Sequence, residues 1–258
     1  MANWSVKRNE AIRDKQPESQ QPKPHDNQRR NSMVAGSGAM ADVEIVKFPT
    51  RAVVSYPSSS VMKRGLDIVG GLLLLFALAP VMLVIALLVK RDGGQAVFSH
   101  KRIGANGKPF YCLKFRTMCV DAEARLQKLL DENAEARDEW ERDFKLKDDP
   151  RVTPLGAFMR ATSLDELPQL INVIKGEMSL VGPRPIVPAE ASRYGAAFRD
   201  YLGCRPGLTG LWQVSGRNDI DYDARVRLDS AYAREWSFFR DISILVRTVG
   251  AVFGRTGY

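Results

Sequence analysis

Lys63 to Arg91 reads KRGLDIVGGLLLLFALAPVMLVIALLVKR, and the fold turns on how this stretch is seated. From Ile68 to Val89, 22 residues pass without a charge. As straight helix they cover roughly 33 Å at about 1.5 Å per residue, the thickness of a bilayer's hydrocarbon core. The stretch is read as a membrane segment. Lys63 and Arg64 precede it, and Lys90, Arg91, Lys101 and Arg102 follow it, so the positive-inside rule pulls both ends to the cytoplasm. Pro80, near the middle, removes one backbone hydrogen bond and clashes with the preceding turn. A helix that enters one leaflet, bends at Ala79-Pro80 and returns satisfies both facts. A kinked single span is the alternative.

Upstream, residues 1–60 are rich in Asn, Gln, Ser, Pro and mixed charge (DKQPESQQPKPHDNQRRN, from Asp14). That composition does not repay the entropy of ordering and is read as a disordered tail without the apolar core of a signal peptide. At 258 residues the whole chain suits one principal domain, and its net charge of +8 calls for an anionic partner, whether nucleic acid, membrane surface or phosphorylated small molecule. Three cysteines without CxxC spacing support neither a disulfide framework nor a zinc site. With two histidines, His25 and His100, acid–base or nucleophilic work falls to carboxylates or lysines.

Downstream, AVFSHKRIGANGKPFYCLKFRTM from Ala96 reads as two strands joined at Asn106-Gly107, a hairpin turn signal. Residues 121–147 read as a solvated amphipathic helix, and Asp221 to Phe253 as helices whose aromatic and basic faces suit a headgroup zone. Between them, TSLDELPQL from Thr162 places Asp165 and Glu166 ahead of an apolar stripe, Leu167, Leu170, Ile171 and Ile174, that stops at Gly176. Ser163 and Glu166 match a capping box, so the pair is expected on the first turn of a helix, where acidic residues are favoured in any case. On that account Asp165 is the carboxylate left free.

Arg160 upstream and Arg184, held between two prolines in GPRP, supply guanidinium groups that can pair two phosphate oxygens at once. Carboxylates beside a phosphate site call for a divalent cation, and magnesium takes one or two carboxylates while bridging phosphate oxygens. A phosphoryl-transfer site is therefore coherent, with Asp165 as nucleophile and metal contact. Lys114 and Arg116 in KFRTM are either anion ligands or ordinary strand-end charges, and Arg205 and Arg217, flanking PGLTGLWQ, are candidates for substrate or lipid phosphate. Trp212 is core, interface or stacking platform. Cys204 is read as structural.

KRGLDIVGG, KFRTM, DPRVTPLGAFMRATSLDELPQLINVIKGEMSLVGPRP and RPGLTGLWQVSGR together resemble the bacterial sugar transferase family of monotopic polyprenyl-phosphate phosphoglycosyl transferases, over about residues 63–248. The likeness is greatest to its exopolysaccharide-initiating members. The resemblance implies transfer of sugar 1-phosphate from a UDP-sugar, UDP-galactose or UDP-glucose, to undecaprenyl phosphate, through a covalent phosphosugar on Asp165, with Glu166 its partner. It implies that Arg160 and Arg184 hold nucleotide phosphate, that Ala79-Pro80 breaks a re-entrant helix, and that Lys63, Arg64 and Asp67 form its headgroup-facing start. Ala79 replaces the serine common in the smallest members, and His100 stands where glutamine is commoner.

The expected architecture is an α/β enzyme, mostly helical with a small β-hairpin or sheet: tail 1–60, re-entrant membrane helix 61–92, cytoplasmic catalytic domain 93–258. Its expected place is the bacterial inner membrane, with the domain facing the cytoplasm, magnesium as cofactor and no nucleic acid as partner. A homo-oligomer and downstream glycosyltransferases are the further partners this reading allows. The alternative is a non-catalytic membrane scaffold for polysaccharide assembly.

Overall fold

The computed structural model describes residues 57–143, 146–216 and 220–253. The expected tail lies outside the described residues up to 56, as does Arg217. Pro57–Ser59 form a 3-10 turn, and Ser60 caps the next helix by accepting a hydrogen bond from the Lys63 amide at 3.3 Å.

That helix, α1 (Val61–Lys90), is apolar on all sides. Its most apolar 18-residue window is only 11% buried, which rules out the core helix of a soluble domain. Leu72, Leu73, Phe76, Leu83 and Leu87 are among the side chains it exposes. Each would cost about 1.5–3 kcal/mol in water relative to burial, so the face is built for lipid. The helix continues through Ala79 and Pro80 without leaving the helical conformation, and a proline inside a helix is where such an element bends. Proline deletes one N–H from the ladder, and the long helical segments on either side keep theirs.

Both ends of α1 rest on the rest of the protein. Gly70, near the start, lets Leu180 approach so closely that an added Cβ would lie 2.7 Å from its Cδ1, and Val173 packs against Gly71. Near the end, Ile85 and Val89 share an apolar cluster with Phe115 and Met159.

β1 (Val97–Ile103) and β2 (Pro109–Phe115) pair antiparallel in the register Val97↔Phe115 to Ile103↔Pro109. The connection has Asn106 and Gly107 at φ of 56° and 75°, the left-handed conformations that this dipeptide tolerates. The charged segment that follows is two helices, α2 (Ala122–Glu132) and α3 (Ala134–Asp143). α4 (Pro154–Thr162) starts on Thr153, whose side chain accepts from the Gly156 amide at 2.9 Å.

Next come a 3-10 turn, Leu164–Glu166, and α5 (Gln169–Lys175), which ends on left-handed Gly176. β3 (Ser179–Val181), the short helices α6 (Ala191–Tyr194) and α7 (Phe198–Leu202), and β4 (Gly207–Thr209) follow, β3 pairing parallel with β4. α8 (Tyr222–Arg234) and α9 (Phe238–Phe253) close the chain. Leu170, Val173, Met178, Val181, Tyr232 and Ile244 form the centre of the core. Among the described residues the fold is mostly helical with two two-stranded sheets. The chain's three cysteines are free.

Candidate active site

The first departure from the sequence reading is at the carboxylate pair. Pro168 has no N–H to continue a helical ladder, so Leu164–Glu166 close their own 3-10 turn and α5 begins only at Gln169. Ser163 is left-handed (φ 58°) and ends α4, and its side chain makes no cap. The capping box is thereby corrected. Glu166 is not a helix cap but the partner of Lys114, whose Nζ donates to Oε1 at 2.6 Å.

Lys114 reaches this position from the end of β2 and also lies 3.6 Å from Asp165 Oδ2. One ammonium is thus set between two carboxylates on adjacent residues. Burial alone would depress the lysine, but Glu166 and Asp165 outweigh it and hold the ammonium above its ordinary value. Asp165 is 7% exposed. Burial raises its carboxyl above the usual range, against the pull of Lys114, with Glu166 raising it further and Arg160 lowering it.

The pair opens into a cavity of about 730 Å³, lined by Lys114, Thr117, Arg160, Asp165, Glu166 and Trp212 among others. Arg160, in the last turn of α4, donates from Nε to Thr117 Oγ1 at 3.0 Å. A second cavity of about 140 Å³ shares Lys114, Glu166, Trp212 and Gln213 with the first and adds Arg102, Gln169 and Arg184. The structure therefore brings Asp165, Glu166, Lys114, Arg160 and Arg184 to one connected site. Arg102 and Gln213 were not singled out from sequence. The hairpin register carried the signal for Arg102: once Asn106-Gly107 is the turn, Phe98, Arg102 and Lys114 fall on one face.

Other expected ligands stand elsewhere. Arg116 borders the larger cavity, yet all five of its N–H groups are engaged: two with Asp92, and one each with the carbonyls of Val89, Gln95 and Met118. It is a clasp rather than a substrate ligand. Arg205 donates to the carbonyls of Gly176 and Ser58 at 3.0 and 2.9 Å and lines neither cavity.

The residues expected at the headgroups also turn inward. Lys63, 1% exposed, donates to Val181 O, Tyr232 Oη and Asp241 Oδ2 at 2.7–2.9 Å. Asp67, fully buried, accepts from Ser179 Oγ and the Leu180 amide. Arg64 caps α5 through the carbonyls of Val173 and Ile174 at 2.7 and 2.6 Å. Pro80 alone of that group sits on the exposed part of α1. Burial pushes the Cys204 thiol up to about 12, in keeping with a structural role.

Comparison with known proteins gives the site its context. The bacterial sugar transferase profile matches residues 58–255. A Haemophilus influenzae protein described as an uncharacterized sugar transferase is 58% identical over 200 residues. The undecaprenyl-phosphate galactose phosphotransferase of Salmonella typhimurium is 52% identical over 200 residues. In both cases the match takes in 78% of this chain and 42% of the relative, so the chain spans less than half the length of these proteins. The exopolysaccharide production protein ExoY of Sinorhizobium fredii is 49% identical over 197 residues, 76% of this chain and 87% of that protein.

Proposed function

The chain belongs to the bacterial sugar transferase family, and from that premise we propose that it moves a sugar 1-phosphate from UDP-galactose or UDP-glucose to undecaprenyl phosphate, releasing UMP. The observation that carries this reading is a buried carboxylate, Asp165, facing a nucleotide-sized cavity with Lys114 and Arg160 beside it. The name of the Salmonella relative supports the substrate class.

In the first step an Asp165 oxygen attacks the sugar-bearing phosphorus, the bond to the UMP oxygen breaks, and UMP leaves. In the second, a lipid phosphate oxygen attacks the same phosphorus and the Asp165 carboxylate is restored. Lys114 holds Glu166 at 2.6 Å and leans toward Asp165, so it lowers the Asp165 carboxyl against the effect of burial and neutralises charge that develops on the phosphoryl oxygens. Arg160 is placed to bind a phosphate oxygen on the same wall.

Magnesium fits this donor set. Among the described residues no group of three or more His, Cys, Asp or Glu could hold an ion, so Asp165, with Glu166 near, would hold it only together with substrate oxygens, as that ion commonly does. Bound there it would supply charge neutralisation at phosphate.

α1 is proposed as re-entrant, with the domain on the cytoplasmic face. A 30-residue helix is roughly 45 Å along its contour, enough to enter one leaflet, bend at Pro80 and return, and both of its ends rest on the same domain. A helix delivered to the far side of a bilayer would leave one end behind.

The test is UMP release by purified protein with magnesium, a short polyprenyl phosphate and each UDP-sugar. Asp165→Asn is expected to abolish release while keeping the fold, and full turnover by that variant overturns the mechanism. Lys114→Met removes the group that lowers the Asp165 pKa, so the acid limb of kcat/KM should move to higher pH. A limb that stays put or moves down contradicts the assigned role.

A further inference from the structure

Four of the five buried side-chain atoms without a hydrogen-bond partner among the described residues fall in one cluster: Arg184 Nε, Arg225 Nε, Trp212 Nε1 and Tyr222 Oη. Buried polar atoms are nearly always paired, so four together mark a place where something is meant to bind. Each of the four can donate a hydrogen bond, and the three nitrogens can do nothing else.

Trp212 is the hub. The Arg225 guanidinium lies 4.5 Å and that of Arg184 5.8 Å from its ring centroid. Tyr222 sits one helical turn before Arg225 on α8. Arg184 and Trp212 also line the 140 Å³ cavity, together with a third guanidinium, Arg102. Of the carboxylates nearby, Asp229 accepts from Tyr194 Oη at 2.8 Å and from the Arg184 amide at 3.4 Å, Glu190 lies 3.7 Å from Arg102 and offsets part of its charge, and Glu166 is held by Lys114. Burial lifts Asp229 to about 7, against the pull of Tyr194, Arg184 and Arg225. The cluster has surplus positive charge and surplus donors, and an anion with several acceptor oxygens answers both.

We propose that Arg102, Arg184, Arg225, Tyr222 and Trp212 form a phosphate-binding compartment next to the Asp165 cavity, with Arg102 and Arg225 as ligands beyond those already assigned. Arg102, Arg184 and Trp212 line the 140 Å³ space itself; Arg225 joins them through the Trp212 ring, 4.5 Å from its centroid, and Tyr222 through Arg225, one turn away on α8. Because Lys114, Glu166, Trp212 and Gln213 border both spaces, a phosphate held there abuts the reacting pair. The donor's diphosphate and the acceptor's phosphate share this chemistry. The link to either substrate rests on the transferase reading, whereas anion binding itself does not.

The experiment titrates the purified full chain in detergent and EDTA with inorganic pyrophosphate, following tryptophan fluorescence against Trp212→Phe as baseline. Wild type should give a saturable change that sodium chloride of equal ionic strength does not give. Arg225→Gln should weaken it at least 10-fold, and Arg225→Lys should recover part of the loss. Asp165→Asn should still give the saturable change, no weaker than wild type because a negative charge beside the space is removed, so a failure of the covalent mechanism leaves this result standing. An unchanged midpoint in Arg225→Gln with unaltered circular dichroism, or a signal that tracks ionic strength alone, overturns the compartment. UMP and a short polyprenyl phosphate are then offered as competitors: displacement by UMP assigns the space to the donor, and displacement by the lipid phosphate assigns it to the acceptor. Displacement by neither overturns its place in the reaction.

Discussion

The two ends of α1 are both tied to the domain, but by different means. At the start, Lys63 and Asp67 are sealed in the core, one against Asp241, Tyr232 and Val181, the other against β3. At the finish, Arg116 grips Asp92 and the Val89 carbonyl at the surface, beside the cavity mouth. The first tie sets whether the protein folds. The second sets how the membrane helix is coupled to the reacting turn. A buried ion pair is expensive to break because the surviving charge is left without water, whereas an exposed pair is screened and contributes little to stability.

The sharpest way to break this contrast is Lys63→Met. It strands Asp241, fully buried, with Tyr232 and Trp236 as its remaining donors, and should cost about 3–5 kcal/mol in denaturant unfolding. A loss under about 1 kcal/mol would put the two ties on one footing. Arg64→Met should cost less, about 1–2 kcal/mol, since it uncaps two carbonyls at the end of α5 without burying a charge. Arg116→Met is expected to move the thermal midpoint least of the three while lowering UMP release, roughly 10-fold, with little change in KM. A large fall in midpoint with normal turnover per folded molecule would reverse the comparison.

Much of this was legible in the sequence, and the misses share a cause. The membrane stretch, the Asn106-Gly107 turn and the Gly176 stop are local signals, written in residues that sit together. Asp165, Glu166 and Lys114 were singled out because their residue types suit phosphate chemistry, and the structure sets them side by side. The capping box failed for want of weight on Pro168, a signal that was present. Lys63, Arg64 and Asp67 were placed at the headgroups because their partners, 109 to 178 residues away, cannot be read from a flanking charge pattern. Arg116 misled for a similar reason: its fifth donor reaches back 27 residues to Val89.

The apolar cluster that joins Ile85 and Val89 to Phe115 and Met159 also takes in Leu164 and Leu167, the residues on either side of the carboxylate pair. The membrane helix and the Asp165 turn thus share one packed cluster, and on the proposed transferase reading α1 serves as a depth gauge: raising or sinking it along the bilayer normal would carry Asp165 with it, so the acceptor phosphate would be met at a height set by hydrocarbon thickness. Bilayers of longer or shorter acyl chains should act on the turnover of this protein much as a spacer inserted between anchor and catalyst would.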